Sequence, residues 1–311
     1  TEALKLSGFE SDFFEEAMNE LRLKRESLNL DELENIDIEQ ILDRIEAISA
    51  LNRRYGSVEE ALATLEARKK ELAHYEQIGF EKSKLQSELL NHDYQSSFAE
   101  NFKVKFIPYP IPPIGKVNAG IMTLSKSKIS EATRVQLPCP FKWPTRVANL
   151  KRCLSINRLP IEGSDKELVI VNLHLEAYDD GDGKKAQAEM LRKYLQAEAD
   201  KGNYVIAGGD FNQTFSGTDT SIMKQFNGTW KPPVLDTNKF DKSWQFLMDT
   251  KTASCRSLDK PLTSLNTNKF QFYIIDGFIV SSNIKVTSLE TKQMGFKNTD
   301  HNPVILKFKL K

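Results

Sequence analysis

All 12 prolines of this 311-residue chain lie after residue 90, and the first 90 residues hold only three glycines, Gly8, Gly56 and Gly79. Proline breaks helices and glycine loosens them, so a stretch nearly free of both can run as helix with few stops. The remainder has to be built from short pieces joined by turns. Apolar spacing agrees with this division. Ile38, Ile41, Leu42, Ile45, Ile48 and Leu51 recur at three- and four-residue steps, and Val58, Leu62, Leu65 and Leu72 continue the pattern beyond Gly56, which places one apolar stripe on each of two helices. The spacing predicts a helix over 36–54, a turn at Tyr55-Gly56, and a second helix over 58–90, with Ser57 as its N-cap in a capping box. An antiparallel hairpin whose stripe packs on itself is the simplest outcome, and a coiled coil that binds a partner or a second copy is the alternative.

Composition sharpens the division. Residues 1–90 carry 12 Lys+Arg against 21 Asp+Glu, a balance of −9, and residues 91–311 balance at +9. A basic second part suits an anionic substrate. With 40% hydrophobic and 28% charged residues the chain is globular rather than disordered. The three cysteines, Cys139, Cys153 and Cys255, are odd in number and widely spaced. That argues against a zinc cluster or a disulfide framework and favours a reducing, cytoplasmic compartment. No apolar run reaches the roughly 18 residues of a membrane helix, so no membrane segment is expected, and the N-terminus does not read as a signal peptide.

The stretch Ile45-Glu46-Ala47-Ile48-Ser49-Ala50-Leu51-Asn52-Arg53-Arg54-Tyr55-Gly56-Ser57-Val58-Glu59-Glu60-Ala61-Leu62 resembles part of the coiled-coil region of bacterial RecN-type recombination ATPases. No Gly-rich phosphate loop ending in Lys-Ser/Thr occurs in the chain, so that likeness implies a helical interaction segment without ATPase activity.

After residue 100, β-rich runs alternate with turns: 102–108, 119–125, 150–158, 167–175, 204–207, 272–281 and 304–309, with one helix over 184–200. This is the rhythm of a layered α/β fold. Four segments within it carry chemistry. Tyr204-Val205-Ile206-Ala207-Gly208-Gly209-Asp210-Phe211-Asn212 is a strand that runs through two glycines into a carboxylate and an amide two residues apart. Val169 to Leu175 ends a strand on His174. Asp276 sits inside the otherwise apolar run Phe272–Ser281, where an unpaired acid is costly. Asn298-Thr299-Asp300-His301-Asn302-Pro303 places an acid beside an imidazole just before the last strand. Singly, each has a plain explanation: a Gly-Gly-Asp turn, a packed strand-end histidine, a paired acid. Together they supply what phosphodiester cleavage needs, namely a base, an acid and groups that hold an anion.

The order His174, then Gly209-Asp210-Phe211-Asn212, then Ile275-Asp276, then Thr299-Asp300-His301-Asn302-Pro303 resembles the endonuclease/exonuclease/phosphatase superfamily. Gly115 to Ser125 is similar to that family's segment before the central strands. The resemblance implies a DNase I-like four-layer α/β sandwich over residues 91–311, preceded by the acidic helical hairpin or coiled coil of residues 1–90. The family's opening strands, with their Asn and their metal-binding Glu, have no counterpart in this sequence, so the domain is expected to be incomplete at its N-terminus. The implied roles are as follows. Asp210 positions or deprotonates the attacking water, and Asn212 holds a phosphate oxygen and that water. Asp276 orients His301 on the phosphate. His174 is a second phosphate ligand or general acid, and Asn118 is a further substrate contact. Asp300, with Asp210, touches a Mg²⁺ or Mn²⁺ ion.

The expected function is therefore a metal-dependent phosphodiester or phosphomonoester hydrolase acting on a phosphate ester, with nucleic acid the default substrate. The alternatives are an impaired relative that binds nucleic acid without cleaving it, and an interaction protein that self-associates through its helical front.

Overall fold

The structure, a computed structural model, describes residues 12–27, 37–67, 69, 88, 92–107, 115–143, 146, 149–178 and 181–311. The chain divides into two compact units, Thr1–Ile78 and Gly79–Lys311. In the first, helix α1 spans Asp12–Ser27 and α2 spans Ile38–Tyr55. Asp37 caps α2 by accepting from the Gln40 amide at 3.1 Å, and Gly56 ends it in a left-handed turn at φ 89°. A second helix then starts at Val58, with Ser57 Oγ accepting from Glu60 N at 3.1 Å, which is the cap its sequence predicts. That helix is described over 58–67. Apart from Lys69 and Glu88, its expected continuation to residue 90 lies outside the described residues. The α2 stripe differs from expectation, because no α2 side chain is buried. Among the described residues, no second apolar face covers Ile38, Ile41, Leu42, Ile45, Ile48 or Leu51.

The second unit has the mixed α/β character that its sequence predicts. In chain order its elements are β1 (Gln95–Ile107), β2 (Gly115–Ser125), β3 (Glu131–Gln136), β4 (Cys153–Pro160), β5 (Glu167–His174), α3 (Asp182–Asp200) and β6 (Tyr204–Asp210). There follow the short strands β7 (Thr214–Phe215), β8 (Val234–Leu235), β9 (Gln245–Leu247), β10 (Cys255–Arg256) and β11 (Phe272–Tyr273), then β12 (Asp276–Val280), β13 (Ile284–Thr291) and β14 (Val304–Leu310). A six-stranded sheet in the order β3-β4-β5-β6-β12-β9 forms the centre. Its one parallel pair, β5 and β6, is joined through α3, as a parallel connection requires.

Alternation along the strands sorts the two faces. Val169, Val171 and Leu173 of β5 and Val205 and Ala207 of β6 face Leu191 and Leu195 of α3, and all seven are at most 1% exposed. The other face meets two antiparallel hairpins. Ile206 and Val280 pack with Ile284, Val286, Leu306 and Phe308 of the β13–β14 pair. The β1–β2 pair makes a polar junction instead: Asn157 donates to Thr123 Oγ1 at 3.1 Å and Asn172 donates to the Met122 carbonyl at 2.9 Å. A helix layer, the large sheet and a strand layer are thus present in the described part of this unit.

Gly209 shows why this strand end needs glycine. Its φ is +144°, and a Cβ there would stand 2.0 Å from the Leu173 carbonyl oxygen, its partner across the ladder. Gly209→Ala is expected to destabilise the protein by at least about 1–3 kcal/mol, because the obstacle is backbone and the conformation disfavours any side chain. Urea denaturation checks this, and a midpoint equal to that of the wild type would contradict it.

No described helix is long and apolar enough to cross a membrane.

Candidate active site

Four chain-distant segments meet at one end of the large sheet. His174 lies directly across from Asp210 in the β5–β6 ladder, and Asp276 lies across from Asp210 in the β6–β12 ladder. Alternation turns all three side chains to the hairpin face. His174 Nε2 is 3.3 Å from Asp210 Oδ2, and His301 Nε2 is 3.8 Å from the same oxygen. His301 Nδ1 is 2.8 Å from Asp276 Oδ2. Asp210 therefore sits between two imidazoles, the second of which is backed by a second acid.

The supports of this group are local. Ser254, 1% exposed, accepts from the amides of both Ile275 and Asp276 at 3.1 Å. The segment carrying His301 is zipped onto residues 253–256. Arg256 N donates to the Asp300 carbonyl at 3.0 Å, Asn302 N to the Ser254 carbonyl at 2.8 Å, and Asn302 Nδ2 to the Ala253 carbonyl at 2.9 Å. Cys255 and His301 form a β-bridge between the two segments. Asn212 takes the left-handed region at φ 49°, which asparagine tolerates better than most residues. Its amide donates to Asp210 Oδ1 at 2.7 Å, and its Nδ2 donates to the Leu175 carbonyl at 3.0 Å and to Asp210 Oδ2 at 3.2 Å. Both Nδ2 hydrogens are thus engaged. The side chain expected to hold phosphate here holds Asp210, and it can reach a phosphate only by releasing one of these bonds.

The electrostatics separate the three titratable groups. Burial, and then the charge of Asp276, pushes the Asp210 carboxyl up to about 7, against the pull of His301, the Asn212 amide and Arg152. For His301, burial favours the neutral ring, but the hydrogen bonds to Asp276 and Cys255 and the charge of Asp276 outweigh it and push the imidazole up to about 11. For His174, burial and then the positive charges of Arg152 and His301 push the ring down to about 3. Because 37% of the His174 side chain remains open, solvent screens part of that effect, and the consequence that matters is its direction, a neutral ring at neutral pH. The site thus holds a cationic imidazole, a neutral imidazole and a carboxyl poised near neutrality. Such perturbation gathers where acid–base chemistry is done.

Three participants carry no sequence motif. Arg152, 3% exposed, lies 3.9 Å from the equally buried Glu176. Its Nε and Nη1, and Glu176 Oε2, have no hydrogen-bond partner among the described residues. Its charge acts on His174 and Asp210. Cys255 and Ser254 complete the surroundings of His301 and Asp276. A charged residue opening the apolar run Arg152-Cys153-Leu154-Ser155-Ile156 was the available signal for the first; nothing local marks the other two. Asn118 lies on the β1–β2 hairpin. It is exposed on β2 opposite Lys103, and among the described residues it makes no hydrogen bond to the cluster.

A magnesium or manganese ion requires several hard oxygen ligands at about 2.0–2.2 Å around one point. The ligand atoms that lie within 4.8 Å of one another here belong to Cys255, Asp300 and His301, a thiol, a carboxylate and an imidazole. Among the described residues no such group of three includes Asp210. Of the expected metal ligands, Asp300 belongs to this group and Asp210 does not.

Three solved structures are similar to part of this chain. One is an endonuclease/exonuclease/phosphatase from Beutenbergia cavernae DSM 12333, at 14% identity and TM-score 0.49, covering 73% of this chain and 57% of that one. Another is the human Nocturnin catalytic domain with bound sulfate anion, at 16% identity and TM-score 0.47, covering 73% and 76%. A third is ANGEL2, a 2',3'-cyclic phosphatase, in complex with adenosine-2',3'-vanadate, at 14% identity and TM-score 0.48, covering 73% and 77%. The chain thus spans little more than half the length of the first. No family model and no curated protein matches this chain. Similarity of outline at such identities leaves substrate and chemistry to the side chains.

Proposed function

We propose that residues 79–311 form a phosphate-ester hydrolase acting on nucleic acid phosphodiesters, with Asp210 as base and His301 as the phosphate-binding cation. The observation that carries this reading is the chain His174–Asp210–His301–Asp276, assembled from four segments at one strand-end rim. His301 donates its Nδ1–H to Asp276 and turns Nε2 to the side where Asp210 lies, the atom offered to a phosphoryl oxygen. Asp210, ionised above about pH 7, takes a proton from a water held between it and the phosphorus. Neutral His174, on the other side of Asp210, is placed to share in proton transfer. Arg152 adds positive potential from behind the site. The incomplete oxygen donor set supports a second reading, an impaired relative that binds nucleic acid without cleaving it.

Turnover of bis(p-nitrophenyl) phosphate separates the two. The hydrolase reading expects release of p-nitrophenol above the uncatalysed rate, with Mg²⁺ or Mn²⁺ supplied and with EDTA compared. No release under any of these conditions would reject it. Calorimetric titration with Mg²⁺ is expected to show weak binding, in the roughly millimolar range of poorly furnished oxygen sites. Micromolar binding would mean that ligands other than Asp210 and Asp300 complete the site.

A further inference from the structure

A second concave feature lies beside the cluster and is not used by the chemistry above. It is a groove of ≈ 500 Å³ whose lining includes Phe102, Lys103, Arg134, Trp143, Arg146 and Lys151. That volume is within the range of small-ligand sites. Of its charges, Lys103 is neutralised by Glu100 at 2.7 Å. Arg134 is held in place by the Glu100 carbonyl at 2.6 Å and Gln136 Oε1 at 2.8 Å. Among the described residues, Arg146 and Lys151 have no acidic partner. Trp143 is 82% exposed, which is unusual for so large an apolar ring.

The groove opens at the same end of the sheet as the candidate site. Gln136 of β3 pairs with Cys153 of β4, and Leu154 pairs with Leu173, one residue before His174. Lys151 lines the groove, and the next residue, Arg152, lies behind His174 and Asp210. From β3 to β5 and β6 is two to three strand spacings, about 10–15 Å. That is roughly three to four stacked nucleotides at about 3.4 Å each.

We propose that this groove binds the single-stranded flank of a nucleic acid substrate, with an unpaired base stacked on Trp143 and phosphates on Arg146, Lys151 and Arg134. This deepens the hydrolase reading and rests on it for the position of the scissile phosphate. An exposed ring stacks most readily on a base whose faces are not already covered by duplex neighbours, which is why a single strand is specified.

The test uses the full chain and a labelled single-stranded hexanucleotide, with binding read by fluorescence anisotropy. Trp143→Ala is expected to weaken binding on the order of ten-fold. Arg146→Ala with Lys151→Ala should flatten the slope of log affinity against log salt by about 1.4. Both variants should hydrolyse bis(p-nitrophenyl) phosphate as the wild type does, since none of these residues belongs to the site. Hexanucleotide binding unchanged by both variants overturns the proposal. So does an acidic peptide of equal charge that binds as tightly and is equally weakened by Trp143→Ala. A wild type that binds the hexanucleotide in this way but never hydrolyses the small ester refutes the hydrolase reading and leaves the groove assignment standing.

Discussion

Asp210→Asn is expected to lower turnover by about 10²–10⁴-fold and, at neutral pH, to leave the protein at least as stable as the wild type. The two effects share one cause. The Asp210 carboxyl is raised by burial and by the neighbouring charge of Asp276, so the fold prefers it protonated. Its contribution to stability is present below the unfolded value of about 3.9 and is lost as pH rises through about 7. Asparagine keeps the shape and can still accept from the Asn212 amide, but it has no proton to lose. Wild-type melting temperature should therefore fall between about pH 4 and pH 7 relative to the variant. Activity runs the other way, because the base works only when ionised. An acidic limb near pH 7 is expected in kcat/KM, and a basic limb near pH 11 where His301 loses its charge. Because these groups interact closely, both limbs belong to the set as a whole. A variant that keeps activity, or that loses it through unfolding, contradicts the assignment.

His301→Ala is expected to reduce turnover by at least about 10²-fold and also to destabilise the protein. It leaves Asp276, whose side chain is 14% exposed, without its ion partner. Removing one member of a fully buried pair costs about 3–5 kcal/mol, and partial exposure makes the cost here smaller. Loss of activity through misfolding could imitate loss of chemistry, so Asp276→Asn provides the cleaner measurement. With the carboxylate gone, the bond and charge that raise His301 go too, and its pKa should drop from about 11 toward the ordinary value of about 6.5. The imidazole resonances would then titrate near neutrality, and the basic limb of the pH profile would move down with them. An unmoved limb would show that His301 is not the cation that matters.

The sequence carried the strand-end chemistry well because His174, Asp210 and Asp276 belong to strands with strong apolar patterns, and a polar residue in such a run is conspicuous. The helix expected over 184–200 and the strands expected over 204–207 and 304–309 are present as Asp182–Asp200, Tyr204–Asp210 and Val304–Leu310. Other parts were not so legible. Strand β3, Glu131-Ala-Thr-Arg-Val-Gln136, is a polar, mostly exposed edge and gives no period-two signal. Strand β13 alternates, but a bulge between Val286 and Ser288 shifts its register and its pattern. The run 272–281 reads as one strand and is in fact two short ones, because Ile274 and Ile275 leave the ladder between Tyr273 and Asp276. Arg152 and Ser254 act through packing between segments that only the folded chain brings together. The α2 stripe had the periodicity of a packing face, but periodicity alone does not say what lies against it.

One consequence follows from the way His174, Asp210 and Asp276 are set side by side as direct partners in adjacent strands. Their separation is inherited from the pleated ladder, so the sheet serves as a ruler for the reactive groups. Loops at the opposite end can lengthen or shorten without disturbing that measure. A one-residue slip of the central strand, by contrast, would turn Asp210 toward the side occupied by α3. Such a molecule could remain folded and yet lose its carboxylate from the rim altogether. An insertion or deletion of one residue between the strand start and Asp210 is therefore expected to remove the carboxylate from the rim, although it lies away from the reacting atoms.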